Sequence, residues 1–458
     1  MRRLTLLGFV LVTACWSEAD FREKCEAAGN CIAPQDAGAS SDAGVMDAGA
    51  MDAGVMDAGV MDAGVMDAGV MDAGVMDAGV MDAGVMDAGV MDAGRTVDAG
   101  SPPDGGLTWA AVAAELFNTT NTDSSLEVLA FPVPADTKAL GGVLTPRGTV
   151  ICIPSQGQVL EVFPDGGVTS IFDAGSTNDL WQGGVLQPDG SVFAFPHSVR
   201  PNVPAVITPT GLVPFAQQLP GSTPVTEGGV ITTTGDIIMM PFSYPAFFVW
   251  RAVGVLSEVP VDAGVAPSSD SLFSGAVLRA SGTTALAVPN TAASVWEVSA
   301  TGATPLGPLS GYAGGLLLAN GDALLMPFGG GARLARVDAF NGVTAVGPIT
   351  LGYFSAAWST NGFGYAIRTV RSAGLYLTIA RDGSVTESTL PATARLPDGG
   401  TVATNLVLSA MSRFGLVAFP DGRLVSCPYA DNRLVFIVPN GRRTVPDWVV
   451  LSPWLNKW

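Results

Sequence analysis

Histidine is nearly absent from this chain: its 458 residues hold one, His197. A metal site built from several histidines is excluded by count. Charge is sparse at 14% of residues, with 22 Lys and Arg against 41 Asp and Glu. The resulting net charge of -19 lacks the basic footprint that nucleic-acid binding needs. It also gives no electrostatic attraction toward anionic lipid. No GxSxG elbow marks a serine nucleophile, and no D-x-[DN]-x-[DN]-G loop marks calcium. His197 lies in "FPHSVRP" with no marked nucleophile to serve as base. Glu161 and Glu297 occupy similar places in the third strand of two repeats, but alternate residues of an outer strand normally face solvent. They read as a solvated face. No catalytic constellation stands out, and an enzyme is not expected.

Glycine is abundant instead, with 57 residues. The rest is rich in Val, Leu, Ala, Thr and Pro, a composition of many short strands and turns. The chain opens "MRRLTLLGFVLVTAC". Arg2 and Arg3 precede a short apolar run, Leu4 to Val12, too short to span a bilayer. This is a secretory signal pattern, residues 1–14. Its end, Val12-Thr13-Ala14-Cys15, resembles the lipobox of bacterial lipoproteins. The resemblance implies cleavage before Cys15 and lipid on its thiol and new amino terminus, with the membrane as partner through that lipid. Several acyl chains, at ~0.8 kcal/mol per buried methylene, make a stable anchor. Trp16 stands where the Gram-negative sorting pattern has Asp for inner-membrane retention, so the outer membrane is expected. In the following segment, residues 15–35, Cys25 and Cys31 bracket "EAAGN" and form the candidate small disulfide of an exported chain.

Residues 36–106 are dominated by the pentad "MDAGV". From Asp36 to Gly100 there are thirteen Asp and one Arg, or -12; the remainder of the chain carries -19 minus -12, or -7. In a helix the five-residue period spirals Val and Met around the cylinder. In a strand it sends successive Val residues to opposite faces. Gly in each unit costs roughly 1 kcal/mol against Ala in a helix. No regular structure gathers an apolar face, and the tract is expected to be a disordered linker with an end-to-end distance of about 45 Å.

A second repeat runs from Gly141 to the C-terminus. Its copies include "GGVLTPRGTVICIP" at Gly141, "GGVLQPDGSVFAFP" at Gly183, "GGVITTTGDIIMMP" at Gly228, "GAVLRASGTTALAVP" at Gly275 and "GGLLLANGDALLMP" at Gly314. "AAWSTNGFGYAI" at Ala356 is weaker, and "GLVAFPDGRLVSCP" begins at Gly415. Each unit reads as strand, Gly turn, strand ending at Pro, then two further strands. Four strands at a period near forty are the signature of a β-propeller blade. Seven units predict an all-β, seven-bladed propeller over residues 107–458. The motif resembles repeats of uncharacterised kelch-like and quinoprotein-like bacterial propellers. The kelch and WD motifs and the quinoprotein Trp-docking residues are missing, so the resemblance carries no cofactor. Either "SLEVLAFPVP" at Ser125 or the C-terminal "TVPDWVVLSPWLNKW" is expected to close the ring. Cys152 and Cys427 fall in neighbouring end blades but at opposite strand parity, which argues against a disulfide and for two buried small residues.

The loops after the repeated Pro hold the candidate binding residues: His197 and Arg200, Phe242 and Tyr244, Asn290, Phe328 and Arg333, Tyr429 and Asp431. Aromatics beside polar groups suit a protein, peptide or polysaccharide partner. The expected function is therefore a lipid-anchored binding module of the cell envelope. A structural envelope scaffold is the alternative, and a propeller hydrolase or lyase is a remote third.

Overall fold

The computed structural model describes residues 106–456, apart from 135–136, 176–179, 198–202, 216, 221–225, 262–271, 329, 369–373, 409–414 and 430–431. Cys15, Cys25 and Cys31, with the signal, the lipobox and the pentad tract, lie outside the described residues. Among the described residues no helix is long and apolar enough to cross a membrane.

The second repeat folds into seven sheets, antiparallel except for one parallel pairing, Leu129↔Arg395, in the last. Blade one is Lys138–Leu144, Val150–Gln156, Gln158–Val162 and Val168–Asp173, each strand paired with the next. Blades two to six repeat that order, with inner strands Trp181–Leu186, Thr226–Ile231, Phe273–Leu278, Tyr312–Leu317 and Tyr353–Trp358. Neighbouring inner strands pack side by side around the ring. Second strands such as Val192–Pro196, Ile237–Pro241 and Ala323–Pro327 are buried along their whole length. Both of their faces are covered by neighbouring blades, which is why they read as continuous apolar runs rather than alternating ones. The outer strand of blade six, Val385–Thr389, is mostly exposed and reads "VTEST".

Ring closure falls to the N-terminal candidate. Leu126–Pro132 pairs antiparallel with Arg433–Pro439 over its full length, from Leu126↔Pro439 to Pro132↔Arg433. Blade seven therefore takes its inner strands, Val417–Ala418, Leu424–Ser426 and Arg433–Pro439, from one end of the propeller and its next strand from the other. An added hairpin, Thr393–Arg395 with Thr401–Ala403, widens this blade to six strands. It accounts for the long spacing before the last repeat. Arg395 of the hairpin pairs with Glu127 at 2.6 Å.

The C-terminal segment does something else. It caps the end of the ring where the inner strands finish. Trp454 Nε1 donates to the Arg279 carbonyl at 2.8 Å, and Asn456 bonds both backbone groups of Leu144, at 2.8 and 2.7 Å. Helix α1, Trp109–Leu116, joins it there: Trp109 Nε1 donates to the Leu318 carbonyl at 3.0 Å. The Trp109 and Trp454 rings lie 6.1 Å apart, and both are buried. The two ends of the propeller chain thus cover the base together.

Two expectations are corrected. Cys152 and Cys427 form a disulfide, with Cα atoms 5.7 Å apart and both side chains buried. The parity argument fails because blades stand radially. Every blade turns the same face forward, so the front of one meets the back of the next. Residues at equivalent depth meet across that gap when they point to opposite faces. The second Gly of the blade-one repeat makes room, since a Cβ on Gly142 would sit 2.9 Å from the Cys427 sulfur. Glu161, in turn, is buried and not solvated: it pairs with Arg147 at 2.7 Å and accepts from Thr149 Oγ1 at 2.6 Å. The fourth strand covers the third, so the end of the third strand tucks beneath the hairpin turn. Glu297 accepts likewise from Thr284 at 2.8 Å and faces Arg279 at 3.6 Å.

The bridge spans 275 residues of sequence. Such a loop puts its entropic stabilisation near the top of the usual range, about 5 kcal/mol. Replacing Cys152 and Cys427 together by Ser should lower stability by ~2–5 kcal/mol in denaturant unfolding. An unchanged midpoint would show that strand pairing alone holds the seam.

Candidate functional site

The end opposite the capped base is formed by the starts of the inner strands and the loops after the second strands. A local irregularity shapes it. In blades one to six the inner strand carries a bulge; in blades two, three and four it lies between Trp181 and Gly184, Thr226 and Gly229, and Phe273 and Ala276. The first Gly of each repeat absorbs it with φ of +70° at Gly183, +76° at Gly228 and +85° at Gly275. Side chains rarely adopt this region, which explains the Gly. A bulge re-aims the residue beside it. Here those residues are Gln182, Glu227 and Ser274.

All three are buried. Ser274 Oγ donates to Glu227 Oε1 at 3.0 Å from the equivalent position of the next blade. Like positions on neighbouring radial sheets come this close only near the axis, so the three residues mark the channel mouth. Gln182 is 2% exposed and Trp181 7%. Gln182 Nε2 and Trp181 Nε1 have no hydrogen-bond partner among the described residues. Burying such a donor costs ~1–3 kcal/mol; nine other buried side-chain atoms of the propeller, Trp296 Nε1 among them, are unmatched in the same way among the described residues.

His197 stands at the same mouth. Its Nδ1 lies 3.0 Å from the Thr226 carbonyl, one residue before Glu227. A carbonyl only accepts, so Nδ1 carries the proton, and in the neutral ring Nε2 is an acceptor. The Phe242 ring meets the imidazole edge-on, at 5.1 Å and 88°. Thr226 Oγ1 donates to the Pro196 carbonyl and ties blade three to the loop that holds His197.

Of the loop residues expected from the sequence, the structure thus unites His197 and Phe242. Phe242 also latches the next blade, its carbonyl accepting from Leu272 N at 2.7 Å. Asn290 and Phe328 are linked through Gly311: Gly311 N donates to the Asn290 carbonyl at 2.6 Å, and Phe328 N to the Gly311 carbonyl at 2.7 Å. Phe328 is 38% exposed. Tyr244 turns to its own blade, against Phe248 at 4.9 Å, and donates to Glu258 at 3.2 Å. Desolvation, followed by the Glu258 charge, pushes its phenol pKa up. Arg333 is exposed, and its carbonyl accepts from Tyr312 Oη at 2.7 Å. Tyr429 is half-buried. Arg200 and Asp431 lie outside the described residues. No group of three or more His, Cys, Asp or Glu able to hold a metal occurs among the described residues.

Gln182, Glu227 and Ser274 were not among the residues expected from the sequence. A signal was there. The position just before the first repeat Gly holds Leu140 and Ala313 in blades one and five, but Gln182, Glu227 and Ser274 in three consecutive blades between them. A polar run in one column of an otherwise apolar repeat marks a function that packing does not need.

No protein-family model matches the chain. No curated protein matches it either. Among solved structures, a streptogramin B lyase is similar at TM-score 0.53 and 12% identity, over 69% of this chain and 98% of that one. A catalytically inactive histidine-to-alanine variant of virginiamycin B lyase from Staphylococcus aureus, solved with quinupristin, is similar at TM-score 0.53 and 14% identity, over 69% of this chain and 99% of that one. At such identity the likeness shows the propeller fold.

The His197 contacts give a stability prediction. His197→Ala removes one hydrogen bond and one edge-on ring contact, each worth about 1 kcal/mol. Chemical unfolding should show a loss of ~1–2 kcal/mol with the ring still assembled. A loss near zero would mean that the imidazole is not held as described.

Proposed function

We propose that the chain is an exported binding protein, anchored by lipid on Cys15, that takes its ligand at the channel mouth of blades two to four. The capped base carries this reading. Trp109 and Trp454 close one end of the ring, so a ligand reaches the axis from the opposite end. That end holds His197, Phe242, Gln182 and Glu227. The buried Cys152–Cys427 disulfide supports export, because such bonds persist in oxidising compartments. The outer membrane is the proposed location, from Trp16 after the lipobox cysteine. A glycan, peptide or protein of the envelope is the partner class.

A second reading, a propeller lyase, has one observation in its favour. The solved relatives of this fold include lyases, one inactive after loss of a histidine, and the single histidine here stands at the mouth. The binding reading is preferred because, among the described residues, no second acid or base is paired with the ring, whose one hydrogen bond goes to the Thr226 carbonyl.

Capture of envelope glycans and proteins should fall at least tenfold in the Phe242→Ala protein and stay near wild type in Tyr244→Ala. Equal capture by all three proteins would move the binding surface away from the mouth. Palmitate labelling should vanish in Cys15→Ser; continued labelling would refute the anchor.

A further inference from the structure

We infer that the Cys152–Cys427 bridge is a redox latch on the inner half of blade seven. Oxidised, it holds that half in the ring. Reduced, it lets the mouth end of the half-blade swing out of the seam while the other blades stay packed. Blade seven is unlike the rest. Its inner strand, Val417–Ala418, has two residues, against six or seven in every other blade. Its second strand, Leu424–Ser426, has three, against five to seven. Two residue pairs join these strands to each other, and three join the second strand to Arg433–Pro439. Seven pairs join Arg433–Pro439 to the closing strand Leu126–Pro132. The blade is therefore firm outside and thin inside, and a thin unit with few ladder bonds is the kind that opens locally.

The two ends of the thin hairpin are held differently. At the base its turn is tied three times. Ser359 Oγ donates to the Gly422 carbonyl at 2.7 Å, Val445 N donates to the Pro420 carbonyl at 3.0 Å, and the Phe419 ring stacks on Phe436 at 5.8 Å. At the mouth, Ala139 N donates to the Pro428 carbonyl at 2.6 Å across the gap to blade one. The bridge is the covalent tie there, from Cys427 directly after the second strand to Cys152 inside Val150–Gln156. Without it the base turn is left as a hinge and the mouth end as the moving end. Leu416, Val417, Val425 and Cys427 are all buried, so the swing uncovers the face of blade one beside the channel.

Burial of both sulfurs sets the order of events. A dithiol reductant reaches the bridge only when the hairpin lifts. Its thiolate then attacks one sulfur, forms a mixed disulfide with that cysteine and releases the other as a thiolate, which takes a proton from solvent. The second thiol of the reductant displaces the remaining cysteine. Both cysteines end as thiols and the reductant as a disulfide, with two electrons passed. Exchange with an external disulfide runs the same steps backward and reseals the ring. The latch needs no ligand and stands apart from the mouth of blades two to four.

The test is hydrogen exchange read by mass spectrometry on the full chain, oxidised and after dithiothreitol, without denaturant. Reduction should speed exchange by about tenfold or more in peptides covering Leu416–Cys427, and change blades two to five and Leu126–Pro132 by less than about twofold. Iodoacetamide should modify both Cys152 and Cys427 in the reduced chain without denaturant. Cys427→Ser should exchange like the reduced chain with no reductant present; circular dichroism checks that it folds, and reduction of the native chain carries the test if it does not. Unchanged exchange in Leu416–Cys427 after cleavage of the bridge overturns the latch. Equal acceleration in every blade, or loss of the whole ring, overturns it too, because the bridge would then staple the propeller as one unit. A bridge that dithiothreitol leaves intact overnight also overturns it, since the hairpin would not lift.

Discussion

Everything in this molecule depends on joining two chain segments some three hundred residues apart. A propeller gains its stability from blades packing on both neighbours, and an open ring would leave two apolar sheet faces in water. Here Leu126–Pro132 enters blade seven beside Arg433–Pro439, and the Cys152–Cys427 bridge fastens blade seven to blade one. The two devices act on different layers. The strand pairing lies toward the outside of blade seven, while the sulfurs lie between the second strands, one strand out from the axis. The base cap adds a third tie, because α1 and the segment through Asn456 also come from the two ends of the propeller.

Closure has a functional consequence. With both ends of the propeller segment gathered at the base, the opposite mouth is left to the loops that follow the repeated Pro. Most of those loops work as latches between blades: the backbones of Phe242 and Asn290 hold the start of the blade that follows. Their side chains are what remains for recognition. The bulged inner strands then bring a second set, Gln182, Glu227 and Ser274, to the same mouth from beneath. The site therefore has a rim set by loops and a floor set by strand geometry.

Much of the fold was legible in the repeat. Gly pairs, turn triplets and terminal Pro residues marked the blades because each meets a backbone requirement that recurs at a fixed place in the unit. The insertion Thr393–Ala403 was visible only as an unexplained spacing, since its hairpin has no counterpart in the other units. The disulfide was misread for a geometric reason. Side-chain parity has opposite meanings within a sheet and between radial sheets, and the pair spans two sheets. Glu161 was misread because position along a strand says little about what covers its end. The site was half legible. His197 and Phe242 stood out as loop residues of rare type, whereas Gln182 and Glu227 were hidden by their place inside an apolar strand. Only the repeat column they share, set against Leu140 and Ala313, distinguishes them.

The central claim is that the mouth of blades two to four is built to receive polar atoms from outside the fold. A crystal structure of the propeller at a resolution that orders water tests this without any assumed ligand. The account predicts ordered density at the mouth, water or sugar, within hydrogen-bond distance of Gln182 Nε2 and Glu227. A dry mouth, with the Gln182 amide and the Trp181 indole satisfied by protein acceptors, would contradict it.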